Sequence, residues 1–528
     1  MRPIWVALWM AASAAALPAQ DAKPASSSWV DSRAEREWLL HPKALPHRAP
    51  VDAVAARSGF ARPPAEYGSM PLWVWNDELE WPRLREQLHQ FKAQGIGGVF
   101  VHPRPGLMTP YMSEKWWEMW TRSLEEGKRL GLTVNIYDEN SYPSGFAGGM
   151  VPSQAPETVA QFMQPEVDVD FDQIHWTRTD NIAVFAIERD ASGTIVAARP
   201  VENKLDWPKG ARAIVFRAKK MRGNPWSGDF AYIDVTNPRT AQVFLETTFE
   251  PYRKRYGSEF GKTIKWIFDD EANIATGGAE MVGPVLPFGY NTVAEFQKRN
   301  GYDLTEHLPS LFWDLGDYRK VRFDYWQTLH DLWKENYVRA LFAWCDKNNV
   351  QFTGHWLEHE WPYPYLSPAD ASLFAYMHMP GIDMLRSHQL WREGVDSHML
   401  FTIKEVASVA HQMGKRAFVE AYGGAGFDST FEYYKRMGDW LIVHGINAVD
   451  QHLSYSTIRG ARKRDYPQSF SDVAEWWANY RPHGEHLHRL SYALSQGVAR
   501  NRVLVIPATT SGFLAARRHG PQTELENL

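Results

Sequence analysis

Three consecutive carboxylates, Asp269-Asp270-Glu271, follow directly on the strand-like run Thr263-Ile264-Lys265-Trp266-Ile267-Phe268. A buried parallel strand that delivers acids to the rim of a catalytic barrel reads this way. Alone, Asp-Asp-Glu would better suit an acidic helix cap or a solvated turn. The pattern recurs, however. Short apolar runs end on His102, on Asp138-Glu139, on His355 with Glu358-His359-Glu360 close behind, on Glu420, and on Asp450 with His452. In a (β/α)8 barrel the C-terminal strand ends form the active-site face, so acids and histidines gathered there point to catalysis.

A proton donor and a base on opposite sides of a scissile bond are the minimum equipment for glycoside hydrolysis. Glu271 and Glu420, at the ends of the fourth and seventh expected strands, lie nearly across the barrel mouth and form the candidate pair. A separation of about 6.5 to 9.5 Å leaves room for a water and inverts the anomeric centre, whereas about 5 to 5.5 Å retains it through a covalent intermediate. Spacing in the chain leaves both outcomes open. The acid of the pair needs a raised pKa, which burial or the neighbouring Asp269-Asp270 would supply. The competing reading of Glu420 is a buried carboxylate paired with a cation such as Arg416.

His355-Trp356-Leu357-Glu358-His359 also matches a zinc-peptidase pattern, which requires both histidines on one helical face. Strand-like Gln351-Phe352-Thr353 before it and Trp361-Pro362-Tyr363-Pro364 after it argue against a helix. Sugar-hydroxyl recognition, or oxygen ligation of Ca²⁺ by Glu358 or Glu360, is the more economical reading. The sequence requires no cofactor and leaves the metal open. Trp75, Trp356 and Trp361 are placed to form stacking walls, with core packing as the alternative for each. The expected substrate contacts are Trp75, His102, Asp138, Glu139, Asp270, His355, Trp356, Glu358, Glu360, Asp450 and His452.

The elements that must position these groups alternate in a βα rhythm. Met70–Asp77 reads as a first strand and Pro82–Gln94 as its helix, stopped by Gly95; Gly97–His102 and Leu132–Tyr137 continue the series. The glycines of Ser144–Gly149 lack dinucleotide-binding spacing and read as a loop. Short β runs between 161 and 235 suggest a small antiparallel domain inserted after strand three. Strands at 263–268, 350–356, 381–385, 416–420 and 446–452 then complete a count of eight, the number a closed (β/α)8 TIM barrel requires. Ser429-Thr430-Phe431-Glu432 has the form of a capping box. Residues 70–500 are thus assigned to the barrel, 21–69 to an N-terminal linker, and 501–528 to the start of a truncated C-terminal domain, beginning with a strand at Arg502–Pro507.

Composition narrows the function classes. Among 528 residues, 57 Lys+Arg against 62 Asp+Glu give a net charge of -5, with no basic stripe for nucleic acid. The 24 Trp, 22 Tyr and 26 Phe supply apolar faces suited to sugar rings. Residues 1–20 have the shape of a secretory signal, with an apolar run too short to span a membrane, so a periplasmic or secreted location is expected. Cys345 is the single cysteine, which excludes an intrachain disulfide.

The runs Tyr137–Gly145, Thr353-Gly354-His355, Met379–Asp383, Glu420–Gly424 and Tyr455–Pro467, in this order, resemble glycoside hydrolase family 106, the α-L-rhamnosidase-like enzymes. The likeness extends over about Pro71 to Pro507. It implies a barrel with accessory β domains, an inverting mechanism, calcium in some members, and two catalytic glutamates that map onto Glu271 as acid and Glu420 as base. The run Trp356–Glu360 departs from the family pattern, so the sugar stays undefined. An inverting α-L-rhamnosidase acting on plant or microbial polysaccharide is the resulting expectation. A non-catalytic carbohydrate-binding relative is the alternative of a different class, since it needs aromatic walls but no paired acids.

Overall fold

Fourteen strands succeed one another in the computed structural model, which describes residues 33–45, 51–203, 207–208, 210–223, 228–274, 284–357, 370–384 and 397–515. They are β1 (Leu72–Trp75), β2 (Gly98–Pro103), β3 (Thr133–Tyr137), β4 (Gln161–Val169), β5 (Asn181–Arg189), β6 (Ile195–Pro200), β7 (Arg212–Lys220) and β8 (Trp266–Asp270). Then come β9 (Leu286–Pro287), β10 (Gln351–His355), β11 (Met379–Met384), β12 (Phe418–Ala421), β13 (Ala448–Gln451) and β14 (Ser454–Tyr455).

Nine of these form one parallel sheet in the order β13-β12-β11-β10-β8-β3-β2-β1-β14. Its two ends belong to one stretch of chain. β13 pairs with β12, and β14 pairs with β1 through Trp73↔Ser454 and Val74↔Tyr455. The Met70 N–H also reaches the Val449 carbonyl at 3.0 Å. The sheet therefore closes into an eight-membered ring whose last member is built in two segments, a TIM barrel.

Strand alternation sorts the side chains into two cores. Leu72, Val74, Phe100, Tyr137, Phe268, Phe418 and Ala448 fill the lumen. Trp73, Val101, Ile136, Ile267, Phe352 and Val419 point outward, into the layer shared with the helices. In the lumen Phe100, Phe268 and Phe418 meet as a triad, with ring centroids 5.3, 5.6 and 6.2 Å apart. This aromatic floor lies one strand period below the polar strand ends.

Helices cover the barrel, and their ends follow local chemistry. Ser113 caps Glu114–Leu130 by accepting from the Trp116 N–H at 3.3 Å, and Gly131 ends it in the left-handed region at φ 71°. Phe431–Val443 is capped by Thr430, one residue later than the capping-box reading placed it. No helix among the described residues is long and apolar enough to cross a membrane.

A second, antiparallel sheet has the order β6-β5-β7-β4-β9. Four of its strands lie in the expected insertion, but the edge strand β9 comes from beyond β8. The described residues within 33–69, the stretch expected to be a linker, hold two α-helices, Arg33–Leu40 and Ala53–Ala61. The first docks on the barrel through Trp38 Nε1 to Asp346 (2.8 Å) and Arg339 Nε to Glu35 (2.7 Å). At the other end, residues 502–507 form no strand, and Val503 to Ile506 are exposed. The apolar composition of that run is met by no described neighbour with which to pair. Residues 1–32 and 516–528, including the expected signal segment, lie outside the described residues.

Candidate active site

The lumen parity decides which strand-end residues meet. Two residues beyond Phe100, Phe268, Thr353, Phe418 and Ala448 stand His102, Asp270, His355, Glu420 and Asp450, so all five inherit the inward direction. All five are buried. Gly354 makes the closest approach possible. A Cβ there would lie 1.8 Å from the Asp269 carbonyl oxygen, and its φ of +127° is one that L side chains rarely adopt. Only glycine lets β10 lie this close to β8, which brings His355 beside Asp270.

His355 is the centre of the cluster. Its Nε2 lies 2.8 Å from Glu420 Oε2 and 3.5 Å from Asp270 Oδ1, and its Nδ1 lies 3.1 Å from the Trp356 carbonyl. Both ring nitrogens face acceptors, a geometry that a doubly protonated imidazolium satisfies. Glu271, Asp270 and His355 each offer a ligand atom within 4.8 Å of the others, as do His355, Asp383 and Glu420. The structure thus brings Glu271 and Glu420 to one histidine.

The electrostatics separate the carboxylates. Burial raises the pKa of Glu420, but the hydrogen bond from His355 and the charges of His355 and Arg104 outweigh it and hold the group below its ordinary value. Arg416, the alternative partner, points elsewhere, toward the carbonyls of Glu66 and Asn447 and the Ser491 hydroxyl. Asp270 is pushed up to about 6 by burial and by the Glu420 charge, and it accepts a hydrogen bond from the Tyr137 hydroxyl. Glu271 leaves the strand with a φ of 54° and is only partly buried. Its N–H donates to the His355 carbonyl at 3.1 Å, which fixes its backbone to β10.

Other expected contacts lie elsewhere. Trp75 is fully buried on the outward face of β1, 4.9 Å from the Trp116 ring and 5.3 Å from Trp73, so it is core and offers no sugar-facing wall. Trp356 follows inward His355 and therefore points outward, against Trp333 at 5.3 Å. Asp138 also lies on the outward parity. It sits opposite Asp269, its cross-strand neighbour, and accepts from Ser144 Oγ at 2.7 Å while Tyr337 donates to Asp269 at 2.9 Å. Burial and the Asp269 charge raise Asp138 well above the carboxylate range, and burial, with the Asp270 charge, brings Asp269 to about 7. Glu139 is an anchor. It accepts from the amides of Asn140, Gly145, Ala147 and Gly148 at 2.6–3.0 Å, so the glycine-rich loop is wrapped on its carboxylate.

Asp450 takes the Leu72 N–H at 2.8 Å on one oxygen, and His452 Nε2 lies 3.7 Å from Glu420 Oε1. His102 faces Arg104, a residue the strand-end reading passed over although it stands two positions on. Arg104 Nη1 is 2.8 Å from His102 Nε2, and its Nε and Nη2 are forked on Asp465 at 2.7 and 3.0 Å. Asp465 lies in the Tyr455–Pro467 run, which the loop carries back over the ends of β1 and β2. Glu358, His359, Glu360 and Trp361 lie outside the described residues.

Each of the two potential ligand triads among the described residues combines one imidazole with two carboxylates, whereas calcium takes six to eight oxygen ligands; Glu358 and Glu360, the residues expected to offer them, lie outside the described residues. The zinc-peptidase geometry fails at its first histidine, since His355 ends a strand and its Nε2 is committed to Glu420.

Residues 230–506 match the model of the glycoside hydrolase family 106, described as alpha-L-rhamnosidase. A Formosa agariphila protein named "Putative beta-glucuronidase" is 22% identical, with the alignment covering 86% of this chain and 43% of that protein. The solved structure of a rhamnosidase from a Novosphingobium species superposes with a TM-score of 0.58 at 15% identity, covering 84% of this chain and 61% of that one. This chain therefore spans less than two thirds of the length of either relative, and the second likeness is one of fold.

Proposed function

Since the chain belongs to glycoside hydrolase family 106, we propose that it hydrolyses terminal α-L-rhamnosides of a plant or microbial polysaccharide with inversion, Glu271 acting as general acid and Glu420 as general base. The single observation that carries the assignment is that His355 gathers both acids, its Nε2 lying 2.8 Å from Glu420 and 3.5 Å from Asp270, with Glu271 within 4.8 Å in the same cluster.

In this reading the sugar sits above the phenylalanine floor. Glu420, kept ionised by His355 and Arg104, accepts a proton from a water that attacks the anomeric carbon. Glu271, partly exposed at the lip, gives its proton to the departing glycosidic oxygen as the C–O bond breaks. The new C–O bond forms on the opposite face, and the proton lost by water ends on Glu420. A depressed pKa suits a base and would disable an acid, which supports this division of roles. Asp270, 3.5 Å from His355, adds negative charge to the same cluster once it is ionised.

The N-terminal apolar run supports action in the periplasm or outside the cell. The deciding experiment is a panel of nitrophenyl glycosides including the α-L-rhamnoside and the β-D-glucuronide, with NMR of the first-formed anomer. Release from the rhamnoside with inverted product is expected. Turnover confined to the glucuronide, or product of retained configuration, would sink this assignment.

A further inference from the structure

A guanidinium can only donate hydrogen bonds. Arg104 Nη1 lies 2.8 Å from Nε2 of His102, so that nitrogen must carry the lone pair and the ring proton must sit on Nδ1. His102 is fully buried at the inward end of β2, its ring packed on Tyr137, and its Nδ1 has no hydrogen-bond partner among the described residues. A buried N–H donor with nothing to receive it is costly, and in a binding site it marks the place of a ligand acceptor.

Arg104 is itself held in place by two neighbours. Asp465 grips Nε and Nη2 in a bidentate fork, and the Tyr142 ring centroid lies 5.4 Å from the guanidinium carbon. Asp465 belongs to the loop pinned beyond the β1 end by Arg459 on Asp77 (2.6 Å) and beyond the β2 end by Arg462 on the Gly106 carbonyl (2.7 Å). The guanidinium cannot turn away from His102 without breaking that fork.

We propose that Arg104 is a positioning residue that fixes His102 as a neutral Nδ1–H donor directed at an acceptor oxygen of the bound sugar, and that the Asp465 loop holds Arg104 in place. The sugar half of this statement rests on the glycosidase reading above; the tautomer half does not. Burial and the charges of Arg104 and His452, which disfavour the imidazolium of His102, agree with a neutral ring.

The test uses the full chain labelled with ring-15N histidine. Two-bond 15N–1H correlations read the tautomer, and His102 is assigned by its absence in His102→Asn. An Nδ1–H pattern is expected at neutral pH. Arg104→Met should convert it to the Nε2–H form or a mixture and raise KM for 4-nitrophenyl α-L-rhamnoside about ten-fold, with a smaller change in kcat. His102→Asn, whose amide can donate from the Nδ1 position, should keep more affinity than His102→Gln. An Nε2–H or doubly protonated His102 in the parent protein, or a pattern unchanged in Arg104→Met, would overturn the proposal. Should Arg104→Met not fold, Arg104→Lys and the parent spectrum decide it. If the parent shows the expected tautomer yet cleaves no rhamnoside, the functional reading fails and takes the sugar ligand with it, leaving the Arg104–His102 relation intact.

Discussion

His355 Nε2 lies 2.8 Å from Glu420 Oε2, which ties the ends of β10 and β12 together across the intervening β11 and places a cation donor between two acids. Removing the ring while keeping a hydrogen-bonding side chain, as in His355→Gln, should let the Glu420 pKa rise, because both leading stabilisers of its ionised form are contributed by His355. The acidic limb of the kcat/KM profile is then expected to move to higher pH, measured on an aryl rhamnoside. A limb that stays in place would show that Glu420 is not the titrating base.

Glu420→Gln and Glu271→Gln preserve side-chain shape while abolishing proton transfer. Each should lower kcat by about 10²–10⁴-fold, the range contributed by general acid–base catalysis. Binding of rhamnose, followed by calorimetry, should persist. With an activated leaving group such as dinitrophenyl, the Glu271 variant should recover much of its rate and the Glu420 variant should not.

The raised carboxyls set a stability trend opposite to that of Glu420. Asp269 has a folded pKa of about 7, against an ordinary value of about 3.9 in the unfolded chain, so the folded state binds more protons between those limits. Stability should therefore fall as pH rises from about 4 to about 7. Asp269→Asn still accepts from Tyr337 and gains an amide donor toward Asp138, and it should flatten this fall in thermal melts. An identical slope in the variant would refute the account.

Glu139→Gln replaces a carboxylate that satisfies four amides with a group having one acceptor oxygen and an NH₂ that opposes the remaining donors. A loss of about 2–4 kcal/mol is expected, of the order of one or two unsatisfied buried donors. Denaturant midpoints would measure it. An undiminished midpoint with a raised KM would instead return Glu139 to the substrate.

Trp75→Ala should behave as a core truncation, destabilising by about 3–5 kcal/mol, with KM unchanged in whatever fraction stays folded. Weakened sugar binding at full stability would contradict its outward placement.

How much of this was legible in the chain depends on the kind of information each feature uses. The βα rhythm, the count of eight and the acids at the strand ends are local: apolar runs of strand length, helix stops such as Gly131, and carboxylates that follow directly, as at Asp269-Asp270-Glu271, sit within one short window. The alternation that sends Asp270 inward and Asp269 outward is also written there, and applying it to Trp75 and Trp356 would have placed both in the helix layer. Its phase depends on which face of a strand meets the lumen, and an unbroken apolar run such as Leu72–Trp75 carries no polar residue to mark that face. Closure through a two-part last strand, the recruitment of Leu286–Pro287 to the inserted sheet, and the grip of Asp465 on Arg104 join residues far apart in the chain. Backbone pairing and ion-pair geometry decide those meetings in three dimensions, and no residue type announces its distant partner. Sequence alone determined the barrel, the family and the candidate acids; tertiary structure decided which of those groups share a histidine, which serve as anchors or core, and that Arg104 governs His102.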